Sequence, residues 1–549
     1  MVKRILFIVP PYLRFHDYIN PPFNAKSVMK TNGRFGSLPT DMPIGILSLS
    51  SYIKKFLPVE TRLADLNVEL NKLQSFNFKS FLDFYRWYFS TRLGNDFEPE
   101  AIGISTLFTP SYENMLEIAN CCREMHPRAL ILGGGGIPTN MYKEIFSACS
   151  EFDALCYGEG ELPLLDLARS KNKAELLSVH SSWITQEKVH AGHTFEHKFV
   201  ENLDEIPFYD YDICEISEYG ANPTISSFAT RDKKLNNFHV MTSRGCPMKC
   251  TFCASHSVHG RDMRYFSIER IKEDFLHLIE KFGAQTLVFQ DDHFMASKKR
   301  ALEIIDLVKE LGVKAVFQNG LALYALDRTI LEALRSAGVE QLMLPVESGS
   351  NRVLRKIMHK SLTTSIISRV INDCRELGIY TNAAILIGMP GETKQDIEDT
   401  RQFLKSIDTN WYIIVVASPL PGSEMLKTCI DKDYLKSDYI YTDFRHAIVE
   451  TEDFTTEYIK DVSYELNLDL NFVNNSDVRL GEYATALKGF HNAINAKPDH
   501  AIAHYYAALC YESLGDASRA CEMRNEAMRI VEADMAWRRY FEMFNLPLQ

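Results

Sequence analysis

The sequence predicts an α/β protein with two domains built around parallel sheets and with an all-α tail. Two separate series of short apolar runs alternate with helical patterns, which is typical of parallel strands joined by helices. A repeat with a period of 34 residues near the end of the chain predicts the helical tail. The chain of 549 residues is too long for one ordinary core, because a domain usually holds about 150 residues.

We expect five segments along the chain. They are a first α/β domain at 1–165, a linker with a small β hairpin at 166–234, a second α/β domain at 235–425, a connecting segment at 426–465 and helical repeats at 466–549.

Composition and charge narrow the class of protein. The residues are 46% hydrophobic and 24% charged, and no apolar stretch reaches the roughly 18 residues that a membrane span needs. The formal net charge of −12 argues against a nucleic acid as the main partner. The apolar run Ile5–Val9 is too short for a signal peptide, so we expect a cytoplasmic protein. There, twelve cysteines are expected to be thiols or metal ligands, not disulfides.

The first domain reads as a doubly wound, Rossmann-like sheet with helices on both faces. The strands that we expect are Arg4–Val9, Arg62–Ala64, Ala101–Thr106, Ala129–Gly133 and Ala154–Tyr157. Polar and aromatic residues between about 170 and 235 predict the small hairpin, followed by a linker.

The second domain repeats the alternation six times, which predicts a partial (β/α)6 barrel related to the TIM barrel. The strands that we expect are Phe238–Ser243, Thr286–Asp291, Ala315–Gln318, Gln341–Val346, Asn382–Ile387 and Trp411–Ala417. Helical patterns such as Lys298–Leu311 and Thr393–Leu404 separate them. An active site is expected at the carboxyl ends of these strands.

The tail repeats small residues at a constant offset. Gly481, Ala486 and Ala493 recur as Gly515, Ala520 and Ala527. This period, with small residues where helices touch, is typical of tetratricopeptide repeats. Two copies are fewer than the usual three, so we expect the tail to pack on a partner protein, on a second subunit or on the barrel itself.

Three cysteines follow the first strand of the second domain. Cys246, Cys250 and Cys253 are separated by three residues and then by two. Three thiolates in one loop can ligate three irons of a cubane cluster and leave a fourth iron open for substrate. The alternative is a structural zinc site, which needs four ligands and would take the fourth from His256 or His259.

The segment from about 235 to 425 resembles the radical S-adenosylmethionine superfamily. The loop matches that family's cluster motif at each cysteine, with the aromatic Phe252 before the last one. The resemblance implies a [4Fe-4S] cluster whose open iron chelates S-adenosylmethionine, so that one electron cleaves the cofactor to a 5′-deoxyadenosyl radical. It also implies a reductant such as flavodoxin or ferredoxin.

Three strand ends match positions where this family holds S-adenosylmethionine. By resemblance, the first should meet the cofactor's amino group, the second its ribose or carboxylate, and the third its surface through close backbone approach. Taken singly, acidic pairs after strands are often helix caps, and Pro-Gly is often a turn. The cofactor contacts that the resemblance implies are Phe252, Gln290, Asp291, Asp292, Glu347, Ser348, Gly388, Pro390 and Gly391.

Glycine runs follow two strands of the first domain. Such runs let a backbone approach a large ligand, although a tight turn explains either run alone. Together with Pro43-Ile44-Gly45 at the start of a helix, they resemble the cobalamin-binding domain that precedes many radical S-adenosylmethionine enzymes. The cobalamin contacts that this implies are Ser105, Thr106, Gly133, Gly134, Gly135, Gly136, Gly158 and Glu159.

The first domain lacks the Asp-x-His-x-x-Gly motif that gives cobalt a histidine in other cobalamin proteins. His16 and His126 lack that context and are expected to be surface or structural histidines. We therefore expect cobalamin without a histidine lower ligand. A degenerate domain that binds no cobalamin remains an alternative.

The other cysteines follow no motif. Cys121, Cys122, Cys149 and Cys156 lack the separation expected of a second cluster. Cys510 and Cys521 fit apolar helix positions, where burial is the expected state. Methylthiotransferases, which have a similar layout, carry a second cysteine set that we do not find here.

The resemblance favours a cobalamin-dependent methyltransferase that acts on an unactivated carbon or a phosphinate phosphorus of a small-molecule or peptide substrate. A cyclase, a ring-contracting enzyme or another rearranging enzyme would use the same cofactors. A hypothesis of a different class is a helical-repeat adaptor whose front domains have lost catalysis.

Overall fold

A computed structural model describes residues 2–21, 27–93, 97–220, 236–441 and 446–547. These residues form a mixed α/β fold. The strands are β1 (Arg4–Val9), β2 (Ser27–Lys30), β3 (Gly33–Gly36), β4 (Glu60–Asp65), β5 (Ala101–Ser105), β6 (Leu130–Gly134), β7 (Ala154–Cys156), β8 (Trp183–Ile184), β9 (Asn237–Val240), β10 (Ser243–Arg244), β11 (Arg264–Tyr265), β12 (Thr286–Phe289), β13 (Lys314–Phe317), β14 (Gln341–Glu347), β15 (Tyr380–Ile387) and β16 (Trp411–Val416).

The α-helices are α1 (Phe15–Ile19), α2 (Ile44–Phe56), α3 (Leu66–Lys72), α4 (Phe81–Thr91), α5 (Tyr112–Met125), α6 (Gly136–Asn140), α7 (Tyr142–Ala148), α8 (Glu161–Arg169), α9 (Lys173–Val179), α10 (Gln186–His190), α11 (His256–His259), α12 (Ile268–Phe282), α13 (Lys298–Leu311), α14 (Arg328–Ser336), α15 (Thr364–Glu376), α16 (Lys394–Lys405), α17 (Glu424–Asp431), α18 (Thr456–Leu468), α19 (Ser476–Arg479), α20 (Tyr483–Ala496), α21 (Ala501–Ser513), α22 (Ala517–Ala533) and α23 (Met535–Met543). Two π-helical turns occupy Val353–Ile357 and Asp469–Val473.

The first sheet has the strand order β4-β1-β5-β6-β7-β8. Its first five strands are parallel, and β1 reads as a continuous apolar run because both of its faces are buried. In the sheet, β4 lies on one side of β1, and the next strand in sequence, β5, lies on the other side of β1. The strand order therefore reverses beside β1, and ligands of such sheets bind outside the carboxyl ends at that point.

The small hairpin predicted within 166–234 does not form in the described part of that segment. Instead β8 pairs antiparallel with β7 and adds a sixth strand to the first sheet. Two helices and three short 3-10 turns make up the rest, and residues 221–235 lie outside the described residues. A hairpin that the sequence did not reveal, β2–β3, lies instead in the first domain.

The second domain contains two parallel three-stranded sheets, β13-β12-β9 and β14-β15-β16. Each of its six predicted strands is confirmed to within a few residues, and α13 has the predicted bounds. The sheets approach each other where the amide of Leu321, after β13, donates to the carbonyl of Met343 in β14 at 3.4 Å. The predicted motifs lie at the carboxyl ends of these strands, at 290–292 after β12, 347–349 at the end of β14 and 388–391 after β15.

The tail helices pack against the last strand of the second domain. Gly489 on α20 lies so close to Trp411 that a Cβ there would be 2.6 Å from the indole ring. Arg375 on α15 pairs with Asp477 on α19 at 2.9 Å. Of the three surfaces that the sequence left open for the tail, the structure places it on the second domain.

One apolar core is shared between the first sheet and the second domain, and it includes Phe7 and Leu47 together with Phe238 and Leu287. A second core covers the opposite face of the first sheet, and a third lies within the tail. Among the described helices, none combines the length and the apolarity that crossing a bilayer requires.

Candidate functional site

The three motif cysteines lie in one loop between β10 and α11. The short antiparallel pair β10–β11 closes the base of this loop, with Arg244 opposite Arg264. Cys246, Cys250 and Cys253 are partly buried free thiols. The structure therefore brings the three sulfurs to the loop that follows the first strand of the second domain, as the spacing predicts.

Burial governs the thiol chemistry of the loop. It raises the pKa of Cys246 to about 11, against the opposing effect of the Met248 amide. Burial also raises the pKa of Cys250, and the nearby ammonium of Lys360 partly offsets this. Burial therefore disfavours the thiolate form of Cys246 and Cys250, and metal binding would have to displace their protons.

The middle of the loop is anchored by segments from far along the chain. The amide of Thr251 donates to Met358 O at 3.2 Å, and its hydroxyl donates to Ile357 O at 2.8 Å. The amide of Met425 donates to Thr251 O at 2.8 Å. The Val353–Ile357 π-helical turn thus supports the cysteine loop directly, which is a frequent place for such turns.

Asp291 and Asp292, which follow the strand β12, have different surroundings. Asp291 is buried, and its carboxylate accepts from the amide and hydroxyl of Thr242 and from the hydroxyl of Ser243 at 2.6–3.1 Å. Asp291 thus holds the chain just before the cysteines, and its contact with the cofactor stays a prediction. The buried Oδ2 of Asp292 has no hydrogen-bond partner among the described residues, and its charge acts on Cys246. The side chain of Gln290 lies beside His239 at 3.4 Å.

The second strand end carries a strained acid. Glu347 has a φ of +64°, which is rare for a side-chain-bearing residue, and it pairs with Lys360 at 2.9 Å. Lys360 also lies 5.9 Å from the centre of the Phe252 ring in the cysteine loop. Ser348 is fully buried and its hydroxyl hydrogen-bonds Thr400 at 3.0 Å, so it holds the turn, and its predicted cofactor contact stays a prediction. No sequence motif marked Lys360.

The third strand end is a loop held by its own carboxylate. Glu392 accepts from the amides of Gly388 and Met389 at 2.7 and 3.1 Å. Gly388 has a φ of +88°, and a Cβ there would lie 3.1 Å from Ile459 on α18. Pro390 is half-buried and Gly391 is exposed. The loop is therefore accessible at Pro390 and Gly391, while its buried start at Gly388 packs against the tail helix α18.

In the first domain, most of the glycine run is required by the protein's own packing. A Cβ on Gly133 would lie 2.5 Å from Leu155, one on Gly135 2.6 Å from Thr106 O, and one on Gly136 2.9 Å from Leu107 O. Gly134 differs, because a Cβ there would meet nothing within 4 Å. The run therefore packs the sheet edge tightly and leaves Gly134 facing open space.

Thr106 adds a polar group to the same edge. Its amide donates to Gly134 O at 2.8 Å, and its buried hydroxyl has no partner among the described residues. Ser105 ends β5 half-buried, and Leu107 is 49% exposed beside the glycine run. An unsatisfied hydroxyl, an open backbone and an exposed apolar side chain suit a large ligand with polar and apolar surfaces.

Gly158 and Glu159 face the second domain instead of open space. A Cβ on Gly158 would lie 2.3 Å from the ring of His197. The buried carboxylate of Glu159 is held by Arg244 at 3.0 Å, by His259 at 2.8 Å and by Arg264 at 2.6 Å. Burial alone would raise the pKa of Glu159, but these three cations hold it well below its usual range. The side chain of Glu159 therefore makes a contact between the domains, and the predicted cobalamin contact, which would fall to its backbone, stays a prediction.

The other histidines and cysteines that the sequence singled out lie away from the cysteine loop in sequence. His16 is exposed beside Asp17, and His126 lies 3.4 Å from Glu98, before β6 begins. Cys121, Cys122, Cys149, Cys156 and Cys510 are buried, as expected. Cys521 is exposed, contrary to the prediction, because Ala520 and Ala527 carry the buried face of α22.

The zinc alternative would need a fourth ligand. His259 directs Nδ1 to Glu159 at 2.8 Å. In the described ranges, no three or more His, Cys, Asp or Glu side chains form a group that could hold a single metal ion. A cubane cluster differs in that each cysteine binds a separate iron.

Two family models match parts of the chain. The radical SAM superfamily model matches residues 240–404, and a B12 binding domain model matches residues 92–168. The range matched by the first model contains the cysteine loop, and the range matched by the second contains the glycine run.

Three curated relatives are 23–26% identical to the chain over the aligned residues. An uncharacterized methyltransferase from Pyrococcus horikoshii is 26% identical over 62% of this chain and 71% of its own length. The cytidylyl-2-hydroxyethylphosphonate methyltransferase of Streptomyces wedmorensis is 25% identical over 68% of this chain and 76% of its own length. The anaerobic magnesium-protoporphyrin IX monomethyl ester cyclase of Rubrivivax gelatinosus is 23% identical over 63% and 61%.

Two solved structures share the fold. The cobalamin-dependent S-adenosylmethionine radical enzyme OxsB matches with a TM-score of 0.62 and 14% identity over 99% of this chain and 80% of its own. The radical S-adenosylmethionine methyltransferase TsrM of Kitasatospora setae matches with a TM-score of 0.55 and 14% identity over 97% and 100%. The whole described chain, including the tail, thus follows a fold seen in these enzymes.

Proposed function

We propose that this chain is a cobalamin-dependent radical S-adenosylmethionine enzyme that methylates an unactivated carbon, or a phosphinate phosphorus, of a small-molecule or peptide substrate. The observation that carries the proposal is the cysteine loop, which holds three free thiols, together with Asp292, whose charge acts on Cys246 and whose buried Oδ2 has no hydrogen-bond partner among the described residues. The matched radical SAM domain contains both features.

Cys246, Cys250 and Cys253 would ligate three irons of a [4Fe-4S] cluster and leave the fourth iron open. The half-buried thiols and the firmly anchored Thr251 suit this role, since a ligand loop must keep its sulfurs at fixed separations. When bound, the cluster and S-adenosylmethionine supply a 5′-deoxyadenosyl radical, and methylcobalamin supplies the methyl group.

Asp292 is the residue that we assign to the amino group of S-adenosylmethionine. Its buried Oδ2 has no partner within the part of the chain that the structure describes, and a buried acceptor without a partner costs about 1–3 kcal/mol, so a bound ammonium would remove this cost. Glu347, held by Lys360, would serve the ribose or carboxylate. The backbone at Gly388–Gly391 would approach the cofactor closely, with Glu392 keeping the loop rigid.

Cobalamin would lie on the edge of the first sheet formed by Thr106 and Gly134. The unsatisfied hydroxyl of Thr106 and the open face of Gly134 support this placement. Because His16 is exposed and His126 precedes β6, neither supports a histidine lower ligand for cobalt. The substrate would then bind between this edge and the cysteine loop.

Finer features of the architecture belong to the same proposal. We assign the two three-stranded sheets to one open six-stranded barrel, and the tail at 466–549 to a pair of tetratricopeptide-like repeats. Gly481 and Gly515, which have φ of +76° and +81° and precede α20 and α22, support the repeat. The boundaries at 165, 235, 425 and 465, a cytoplasmic location, and flavodoxin or ferredoxin as the reductant remain predictions.

A second candidate is a cyclase that uses the same cofactors, because a cyclase stands among the relatives. The products separate the two functions. Anaerobically reconstituted protein with substrate should yield a methylated product and S-adenosylhomocysteine together with 5′-deoxyadenosine. A cyclised product with 5′-deoxyadenosine alone would favour the second candidate.

The variant Cys250→Ala tests the role of the loop. It should abolish formation of 5′-deoxyadenosine, because one iron would lose its ligand. Cys521→Ala is the matched control, since it removes an exposed cysteine of the tail and should leave the product yield unchanged. Undiminished 5′-deoxyadenosine from Cys250→Ala would contradict the proposed function.

A further inference from the structure

Glu159 joins the two ends of the cysteine loop. Arg244 lies two residues before Cys246, and His259 and Arg264 lie after Cys253, yet all three contact the one carboxylate of Glu159. The carboxylate comes from the first domain, directly after β7. It is 2% exposed, and both of its oxygens are occupied.

The loop's own base is short. The β10–β11 pair has only two residue pairs, and Gly245 follows it with a φ of +94°. Backbone pairing of this length gives little rigidity. The contacts from Glu159 therefore join the two ends of the loop in addition to the hydrogen bond from the amide of Cys246 to Gly260 O at 3.3 Å, and they act across the domain interface.

A continuous set of hydrogen bonds connects Glu159 to the glycine run. The hydroxyl of Thr139 donates to Gly135 O at 2.8 Å and accepts from the amide of Gly158 at 3.1 Å. Gly158 directly precedes Glu159. The edge that we assign to cobalamin and the loop that we assign to the cluster are thus joined through one turn of chain.

A second contact makes the same connection. The side-chain amide of Asn140, at the end of α6, donates to Gly136 O and to the hydroxyl of Ser257 on α11, both at 2.8 Å. Glu161 also connects the start of the cysteine loop to the first domain. It accepts from Arg244 at 2.7 Å and from the hydroxyl of Ser48 on α2 at 2.5 Å.

We propose that Glu159 is a positioning residue that fixes the cysteine loop against the ligand edge of the first domain. This rests on the proposed function for its consequence, which is that Glu159 sets how the radical site meets the methyl donor. A buried carboxylate is strongly destabilising unless cations pair with it. Here the cations that pair with Glu159 are Arg244 and Arg264, which lie at the two ends of one loop.

The variant Glu159→Gln tests the contact without relying on activity. It keeps the shape of the side chain but removes the charge that pairs with Arg264 and one of the two charges that pair with Arg244, the other being that of Glu161. Amide hydrogen exchange of residues 245–263, measured on the cofactor-loaded protein, should rise about tenfold or more, while exchange in β1 and β5 stays unchanged. His259→Gln, which leaves both arginine pairs in place, should give a smaller rise in the same segment.

The consequence is read from the ratio of methylated product to 5′-deoxyadenosine. Glu159→Gln should bind cluster iron and cobalamin as the wild type does and still cleave S-adenosylmethionine, but the ratio should fall about tenfold, because the two sites lose their fixed relationship. Glu159→Asp should recover part of it. Glu124→Gln, which breaks an exposed pair with Arg86, is the control and should behave as wild type.

Unchanged exchange at 245–263 in Glu159→Gln would overturn the proposal. So would a wild-type ratio alongside faster exchange. If Glu159→Gln fails to fold, His259→Gln decides by the same two measurements. Failure of the proposed function looks different, because the wild type would then yield no 5′-deoxyadenosine while the exchange difference between wild type and variant would persist.

Discussion

Asn471 holds the backbone of Tyr412 through both ends of its side-chain amide. The amide of Tyr412 donates to Asn471 Oδ1 at 2.7 Å, and Asn471 Nδ2 donates to Tyr412 O at 2.8 Å. Tyr412 lies in β16, the outer strand of its sheet, whose free edge would otherwise expose unpaired peptide groups. The tail thus caps this edge with a side chain in place of a further strand.

Replacing Asn471 with Ala should destabilise the protein by about 2–4 kcal/mol, because it leaves a buried amide and a buried carbonyl without partners. Urea unfolding followed by circular dichroism measures this. Asn525→Ala on the exposed face of α22 is the control and should change stability by less than about 0.5 kcal/mol. Equal stability of the two variants would show that the tail does not depend on this contact.

Asp292→Asn should weaken binding of S-adenosylmethionine while leaving the iron content intact. Losing a hydrogen bond to a charged group costs about 1.5–3 kcal/mol, which corresponds to a Kd raised roughly 10- to 150-fold. Equilibrium dialysis with the reconstituted protein measures it. Asp291→Asn provides the contrast, because Asp291 holds Thr242 and Ser243, so iron content should fall there. An unchanged Kd in Asp292→Asn would refute the assignment.

Two glycine variants separate ligand binding from packing. Gly134→Ala should fold normally but lose cobalamin affinity, since its Cβ would project into open space on the ligand edge. Gly135→Ala should unfold at lower urea, because its Cβ would lie 2.6 Å from Thr106 O and its φ is +103°. Cobalamin absorbance after gel filtration and the urea midpoint measure the two effects. Full cobalamin retention by Gly134→Ala would place the ligand elsewhere.

The pH dependence of stability should carry a contribution from Glu392. Burial raises the pKa of Glu392 to about 7, from 4.5, even though the amides of Gly388 and Met389 oppose the shift. The folded protein therefore binds this proton more tightly than the unfolded chain. The contribution of Glu392 to the free energy of unfolding is fully present below pH 4.5 and is lost as the pH rises toward 7.

Glu392→Gln should remove this loss. Relative to wild type, the variant should gain about 3 kcal/mol between pH 4.5 and 7, since one pKa unit corresponds to about 1.4 kcal/mol. Unfolding midpoints over this range measure it, with the exposed Glu522→Gln as control. A difference from wild type that does not change with pH would show that Glu392 titrates normally in the folded protein.

Much of the fold could be predicted from the sequence because parallel strands are locally continuous. The run Arg4–Val9 is buried on both faces, so its composition alone marks it. The strand β8 has only two residues, and no local pattern reveals that it pairs with β7 across the intervening helices. The predicted hairpin failed there for that reason.

In the candidate site too, features within one loop could be predicted, and contacts between distant segments could not. The cysteines were found because their spacing lies within one loop. Lys360 and Ile459 were missed because their importance comes from contacts with Glu347 and Gly388, which are set by the fold and not by neighbours in sequence. The contacts of Asp291 with Thr242 and of Glu159 with Arg244 could not be predicted, because a motif shows which residues are near a site but not which way their carboxylates point.

The central claim is that three cysteines hold an iron cube with one open corner, and electron paramagnetic resonance of the reduced, anaerobically reconstituted protein tests it most directly. We expect about four irons per chain and a spectrum that changes when S-adenosylmethionine is added, because the cofactor would bind the open iron. A protein that takes up only zinc at this loop, or a cluster whose spectrum is unaffected by S-adenosylmethionine, would contradict the account.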